Sequence, residues 1–166
     1  AYSNHALSEQ IEKNELTVQD KNFMTELVYG TLQHEQLLNF YVTPFFNGKV
    51  KAWVRILIQM TLYQMLFLDS VPEHAAISEA VKIAKKRGGQ FNGKLVNAIL
   101  RELTRTPLPS LDTIKDEAER LAVETSHPLW LIKLWSKQFG WEKTIQMARA
   151  NNCLLYTSDA ADDMQC

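Results

Sequence analysis

Basic side chains gather in one stretch of the sequence, between positions 82 and 105. That stretch holds seven Lys and Arg residues against a single acidic residue, Glu102. Fixed cations are what phosphate binding requires, because arginine makes forked contacts to phosphate oxygens and lysine supplies a point charge. This composition therefore favours the polyanionic backbone of a nucleic acid as ligand. The candidate residues are Lys82, Lys85, Lys86, Arg87, Lys94, Arg101 and Arg105.

The spacing of these residues predicts outward faces on two consecutive helices. On the later helix, one narrow stripe at helical spacing holds Lys94, Asn97, Arg101 and Arg105. On the earlier helix, the side away from the apolar stripe holds Lys82, Lys85 and Lys86. The glycine-rich segment between the helices would join the two faces into one positive surface. Asn97 is a candidate RNA contact or, alternatively, a helix–helix or capping residue. The other interpretation of the whole stripe is an ordinary solvated helix face.

Residue types suited to catalysis or metal binding occur in no functional arrangement. The four histidines lie in unrelated segments with no neighbouring cysteine, so a zinc site is not expected. No glycine-rich phosphate loop follows a strand, which argues against a nucleotide site. Asp116 and Glu117 are assigned to a solvated helix face, and the spacing of Trp130 and Trp135 is typical of packing. We predict no catalytic site and no metal site in this chain.

The composition is that of a globular domain, with 46% hydrophobic and 22% charged residues. No apolar run reaches the roughly 18 residues needed to span a bilayer, and the first residues lack the features of a secretory signal. Both cysteines, Cys153 and Cys166, lie in the last 14 positions of the 166-residue sequence, so the body has no disulfide framework. A reducing cytoplasm is the expected location.

Apolar residues recur at helical spacing along the chain, and no alternating strand pattern is found. Asp20 is the predicted N-cap of a helix that runs towards Pro44, with Gly30 lowering its stability by about 1 kcal/mol and allowing a bend. The most apolar segment, 50–68, belongs in the middle of a bundle. We predict an all-α fold. One later helix is expected to end at Gly88-Gly89, and the next to span Asn92–Arg105 with Leu95, Ile99 and Leu103 facing inward. The remaining helices are expected at Thr113–Glu124, Pro128–Gly140 and Trp141–Ala150.

Four stretches of the sequence resemble the N-terminal region of the bacterial RsmB (Sun/Fmu) family, the 16S ribosomal RNA cytosine-5 methyltransferases. The likeness covers residues 1–152 in order and spacing. The first three stretches resemble a NusB-type RNA-binding helical domain, and the fourth resembles the linker that leads into the methyltransferase half. The stretches are DKNFMTELVYGTLQ, LYQMLFLDSVPEHAAISEAVKIAKKRG, KLVNAILRELTR and HPLWLIKLWSKQFGWEKTIQMARANN.

The resemblance implies a NusB-like RNA-binding helical domain at 1–106 and a short helical linker region at 107–152, leading towards a methyltransferase domain. It implies S-adenosylmethionine as the cofactor of the full-length parent and no cofactor in this fragment. The implied partners are 16S ribosomal RNA and the parent's own C-terminal methyltransferase domain, with no membrane or DNA partner. The family usually has a further basic helix before AYSN, so we expect a fragment truncated at both ends.

The family's chemistry requires a cysteine thiolate, placed after a proline, that adds to the cytosine ring. Neither Cys153 nor Cys166 follows a proline, so the fragment itself is expected to be non-catalytic. The stretch CLLYTSDAAD looks like one reading frame of a transposase end sequence used in DNA sequencing libraries. We therefore interpret residues 153–166 as adapter read-through, to be left out of fold reasoning. Codons that depart from that adapter at several positions would contradict this interpretation.

The sequence therefore predicts an RNA-binding, rRNA-positioning domain of a 16S rRNA cytosine-5 methyltransferase, without its catalytic domain. One alternative is a NusB-like transcription antitermination factor, against which the HPLWLIKLW stretch argues. The second is a helical protein-interaction module, in which the basic stripe would face an acidic protein surface instead of RNA.

Overall fold

The structure is a computed structural model that describes residues 2–157, with side chains described for residues 4–152. Within this range it contains eight α-helices, two short 3-10 turns and no strand, which confirms the expected all-α fold. The 3-10 turns cover Thr43–Phe45 and Leu111–Thr113. The helices are α1 (Tyr2–Lys13), α2 (Val18–Gln33), α3 (Glu35–Val42), α4 (Ala52–Phe67), α5 (Glu73–Arg105), α6 (Glu117–Thr125), α7 (Leu129–Phe139) and α8 (Trp141–Thr157).

Helix α2 is capped by Thr17, whose hydroxyl oxygen accepts a hydrogen bond from the Asp20 amide at 3.1 Å. The predicted cap at Asp20 is therefore wrong. The Asp20 carboxylate lies instead in the first turn, where a negative charge interacts favourably with the helix dipole. The single long helix predicted from this point is divided at His34, whose buried ring stacks on Phe67 with centroids 4.4 Å apart.

Gly30 is where α2 makes its closest approach to α4. A Cβ atom at Gly30 would lie 2.0 Å from Cζ of Tyr63, a ring that is completely buried. Only glycine leaves room for this ring, because any other residue would overlap it. The helix continues through Gly30 to Gln33, so this glycine provides space for packing and not the predicted bend.

Helix α4 lies at the centre of the main core, as its apolar sequence predicted, and packs on α2, α3 and α5. The side chains of Val54, Ile58 and Leu62 are at most 2% exposed, and burying each stabilises the fold by about 1.5–3 kcal/mol. Neither α4 nor any other helix in the described range is long and apolar enough to cross a membrane.

A second, smaller core lies among α6, α7 and α8. Asp116 caps α6, because its carboxylate accepts a hydrogen bond from the Ala118 amide at 3.1 Å. The predicted start of this helix at Thr113 is therefore wrong, and residues 111–113 form a 3-10 turn that precedes it. The buried members of this core are Leu121, Ala122, Ile132 and Ala148.

The last helix is longer than predicted, since α8 continues past Ala150 to Thr157. The read-through hypothesis concerns residues 153–166, whose side chains lie outside the described part of the chain. The second core joins the main bundle where α3 packs on α6 and α2 on α8. Polar contacts support this junction. The side-chain amide of Gln33 donates to the backbone carbonyl of Asn152 at 2.5 Å, and the side-chain amide of Gln36 donates to the backbone carbonyl of His127 at 2.8 Å.

Replacing Gly30 by alanine is expected to destabilise the protein by about 1–3 kcal/mol, because the added methyl group overlaps the Tyr63 ring. Urea denaturation measures this loss of unfolding free energy. A double-mutant cycle with Tyr63→Ala supplies the control, since alanine at position 30 should cost much less once the ring is gone. An equal cost in both backgrounds would show that helix–ring overlap is not the cause.

His127 is buried between α6 and α7 in a hydrogen-bonded chain that fits a neutral ring. Its Nδ1 lies 2.9 Å from the Thr125 hydroxyl, which itself donates to the Leu121 carbonyl. Nδ1 is therefore the donor, and Nε2 accepts from the Asn151 amide at 3.2 Å. Burial lowers the pKa of His127, although its hydrogen bond to the backbone of Thr125 acts in the opposite direction. Burial also lowers the pKa of His34.

These lowered values predict that the protein loses stability as the pH falls below the ordinary histidine pKa of about 6.5. Below that pH the unfolded chain binds more protons than the folded one, so the unfolding free energy decreases. Urea denaturation should thus give lower stability near pH 5.5 than near pH 7.5, both above the usual carboxylate range of about 4. The His127→Gln variant should show a smaller pH dependence than the wild type. An undiminished pH dependence in His127→Gln would contradict the assignment.

Candidate nucleic-acid interface

A break at Gly89 divides α5 into two segments. Gly89 has φ 76° and ψ −175°, a conformation open to glycine and strained for other residues. The side-chain amide of Asn92 donates to the backbone carbonyl of Gly88 at 2.6 Å, which satisfies a hydrogen-bond acceptor beside the break. The predicted end of one helix at Gly88-Gly89 and start of another near Asn92 is confirmed by this change of conformation. We call the two parts of α5 the first segment (73–88) and the second segment (90–105).

All seven basic residues of the candidate interface are exposed, on both segments of α5, and Asn97 is half-buried. They point away from the core because the opposite side of α5 packs on α4. Along the second segment, Lys94 and Arg105 are separated by about 16 Å at a rise of 1.5 Å per residue. We call this set the basic surface: Lys82, Lys85, Lys86, Arg87, Lys94, Asn97, Arg101 and Arg105.

Among the described residues, acidic side chains pair with the basic surface at its two ends. Lys82 lies 3.2 Å from Glu79, and Arg105 lies 3.8 Å from Glu102. These pairs are exposed and therefore weak, so both cations can exchange partners with a phosphate. Within the part of the chain that the structure describes, the remaining basic residues form no ion pair: Lys85, Lys86, Arg87, Lys94 and Arg101.

Two interactions hold the middle of the basic surface in place across the break. The Arg87 guanidinium lies over the Trp53 ring of α4, with 5.2 Å between its Cζ atom and the ring centroid. The aliphatic part of Lys85 lies over Gly93 of the second segment, where a Cβ atom would be 2.3 Å from Cγ of Lys85. Both side chains thus bury apolar or planar surface while their charges remain in solvent.

The inward face of the second segment is centred differently from the prediction. Val96 and Leu100 are completely buried, whereas Leu95, expected to point inward, packs against the core but is only half-buried. Ile99 and Leu103 are buried as expected. The reason is that Asn92 and Gly93 are also buried and occupy the start of the inward face, which turns the helix relative to a purely apolar stripe.

Sequence analysis missed two aromatic residues at the basic surface. Trp53 belongs to the most apolar helix, so nothing in its spacing marked it as the partner of Arg87. Phe91 lies one helical turn before Leu95 and so on the same apparent stripe, yet it is exposed. Asn92 and Gly93 take the inward position instead of Phe91. This Asn-Gly pair, which interrupts the apolar stripe, was the available signal for the exposure of Phe91.

Among residues 4–152, no group of three or more His, Asp, Glu or Cys side chains could hold a metal ion. The same range contains no cysteine. The arrangement of fixed cations along α5 is suited to holding an anionic polymer.

The chain belongs to the NusB family, whose sequence model matches residues 1–105. This match confirms the resemblance seen in the sequence. Among curated proteins, the chain is similar to the probable ribosomal RNA small subunit methyltransferase B of Bacillus subtilis (strain 168). The two are 47% identical over 151 residues, which is 90% of this chain and 34% of that protein.

Two further relatives mark the range of the similarity. The probable ribosomal RNA small subunit methyltransferase B of Synechocystis sp. is 31% identical over 147 residues, 87% of this chain and 33% of that protein. The transcription antitermination protein NusB of Halalkalibacterium halodurans is 29% identical over 83 residues, 48% of this chain and 62% of that protein. The chain therefore spans about one third of the length of the methyltransferase relatives it matches.

Replacing Gly89 by alanine is expected to cost about 1–3 kcal/mol, because a Cβ atom is strained at φ 76°. Urea denaturation followed by far-UV circular dichroism measures this loss of unfolding free energy. The neighbouring variant Gln90→Ala, at an exposed helical position, should stay within about 0.5 kcal/mol of the wild type. Equal effects of the two substitutions would mean that the backbone conformation of Gly89 is not required.

Proposed function

We propose that this chain is the RNA-binding, rRNA-positioning region of a 16S ribosomal RNA cytosine-5 methyltransferase. The observation that carries the proposal is the basic surface of α5, which is exposed and largely free of acidic partners in the described range. Cations of this kind bind phosphates and fix the position of an RNA, while its sequence is recognised through shape or through other contacts. The names of the methyltransferase relatives supply the class of RNA.

The extent of the similarity favours this function over transcription antitermination. The matches to methyltransferase relatives cover 87–90% of the chain, whereas the match to the Halalkalibacterium NusB protein covers 48%. The family model ends at residue 105, just where α5 ends. The second core formed by α6, α7 and α8 therefore lies beyond the NusB region. This division supports a domain at 1–106 followed by a helical linker at 107–152.

Methyl transfer in the parent would be the task of a separate domain that binds S-adenosylmethionine and supplies the cysteine nucleophile. The present chain would hold the ribosomal RNA in the cytoplasm while that domain reaches the target base. Genomic sequence beyond Asn152 tests this division directly, since an in-frame methyltransferase domain is expected there. A stop codon soon after Asn152 would favour the antitermination alternative.

Exchanging Lys94 and Arg101 for glutamate is expected to weaken RNA binding and to flatten its salt dependence. For single-stranded RNA, each phosphate that is no longer neutralised by a cation lowers the slope of log K against log salt by about 0.7. The measurement is fluorescence anisotropy of the whole chain with transcribed fragments that tile 16S ribosomal RNA, at two salt concentrations.

The matched control reverses two exposed charges elsewhere, Lys133→Glu with Lys137→Glu on α7, a helix that packs on α6 and α8. This control should bind RNA nearly as the wild type does. Identical titrations for the α5 variant and the wild type would refute the basic surface as the RNA site. The protein-interaction alternative predicts a different result. In that case the wild type would bind an acidic protein but no RNA, and the α5 variant would bind neither.

A further inference from the structure

Phe91 is the most exposed large hydrophobic side chain in the described part of the chain, with 76% of its surface in solvent. It is the second residue after the break at Gly89, at the start of the second segment of α5. The core does not hold it, because Asn92 and Gly93 occupy the inward positions of this turn. Its exposure contributes nothing to the core, so the ring is available to a ligand.

A cation lies beside Phe91. Lys94 is exposed one helical turn further along the same segment, and residues three positions apart on a helix are adjacent. Around the break, the aliphatic part of Lys85 reaches the backbone at Gly93, and Arg87 lies over Trp53. An exposed aromatic ring is thus adjacent to one exposed cation, at the junction of the two segments that carry the basic surface.

We infer that Phe91 is a stacking platform for an unpaired RNA base, with Lys94 binding a flanking phosphate. This inference rests on the proposed function and deepens it by assigning a class of RNA, a single strand or loop. Every base has a flat face that stacks on an aromatic ring, whereas bases inside a duplex are not available to it.

An apolar protein partner fits this position less well than a nucleic acid does. Such a partner requires a contiguous apolar patch, but the exposed residues next to Phe91 on the second segment are Gln90 and Lys94. A single ring beside a cation matches the alternation of flat base and phosphate along an unpaired strand.

The test compares Phe91→Ala and Phe91→Tyr with Phe139→Ala, in which an exposed ring on α7 is removed. The probes are a 12-nucleotide unpaired RNA, the same RNA with abasic sites at its internal positions, and a blunt duplex of equal length. Phe91→Ala should bind the unpaired RNA about tenfold more weakly, with an unchanged salt slope because no charge is altered. Phe91→Tyr and Phe139→Ala should stay within about twofold of the wild type.

Affinity for the abasic RNA and for the duplex should not change in Phe91→Ala. If Phe91→Ala binds the unpaired RNA as the wild type does, while the Lys94 and Arg101 reversal still weakens binding, the stacking role is wrong and the proposed function stands. An equal loss on all three probes also overturns stacking. If the wild-type chain binds none of these probes and no 16S fragment, the proposed function itself fails.

Discussion

The conformation of one residue, Gly89, governs how this molecule presents its charge. Because the backbone leaves helical geometry at that residue, a single run of 33 helical residues becomes two segments that share one core and one basic surface. Because α5 buries its inner face against α4, the cations on its outer face are exposed to solvent. An unbroken helix of this length would extend about 50 Å and could not keep both halves against the same core.

Concentrating cations in this way opposes folding, since like charges repel each other in the compact state. In the part of the chain that the structure describes, acidic partners lie at the ends of the basic surface, beside Lys82 and Arg105. Three consecutive cations, Lys85, Lys86 and Arg87, stay without one in the described range. The main core around α4 and the second core around Ile132 offset this repulsion. Stability is thus concentrated away from the charged surface.

Helix content and the central position of α4 could be predicted because apolar periodicity reports burial directly. The break at Gly88-Gly89 was also predictable, since a glycine pair seldom continues a helix. What failed depended on packing between distant residues. Gly30 appeared as a weak point until the Tyr63 ring was seen to occupy its space. Likewise, Phe91 is exposed because Asn92 and Gly93 occupy the inward side of this turn of α5, and apolar spacing alone does not predict that. The roles of the basic residues stay predictions, as exposure alone does not identify a ligand.

The stacking of Arg87 on Trp53 has a consequence for how fast a ligand can be captured. A guanidinium held over an indole ring has already lost rotamer freedom on folding, so less entropy is lost when it meets an anion. The Arg87 side chain is nevertheless exposed, so an anion can reach it. The exposed lysines of the basic surface would attract a passing polymer over a distance of about one Debye length. Arg87 would then give the first rigid anchoring point, converting a loose electrostatic encounter into a fixed register.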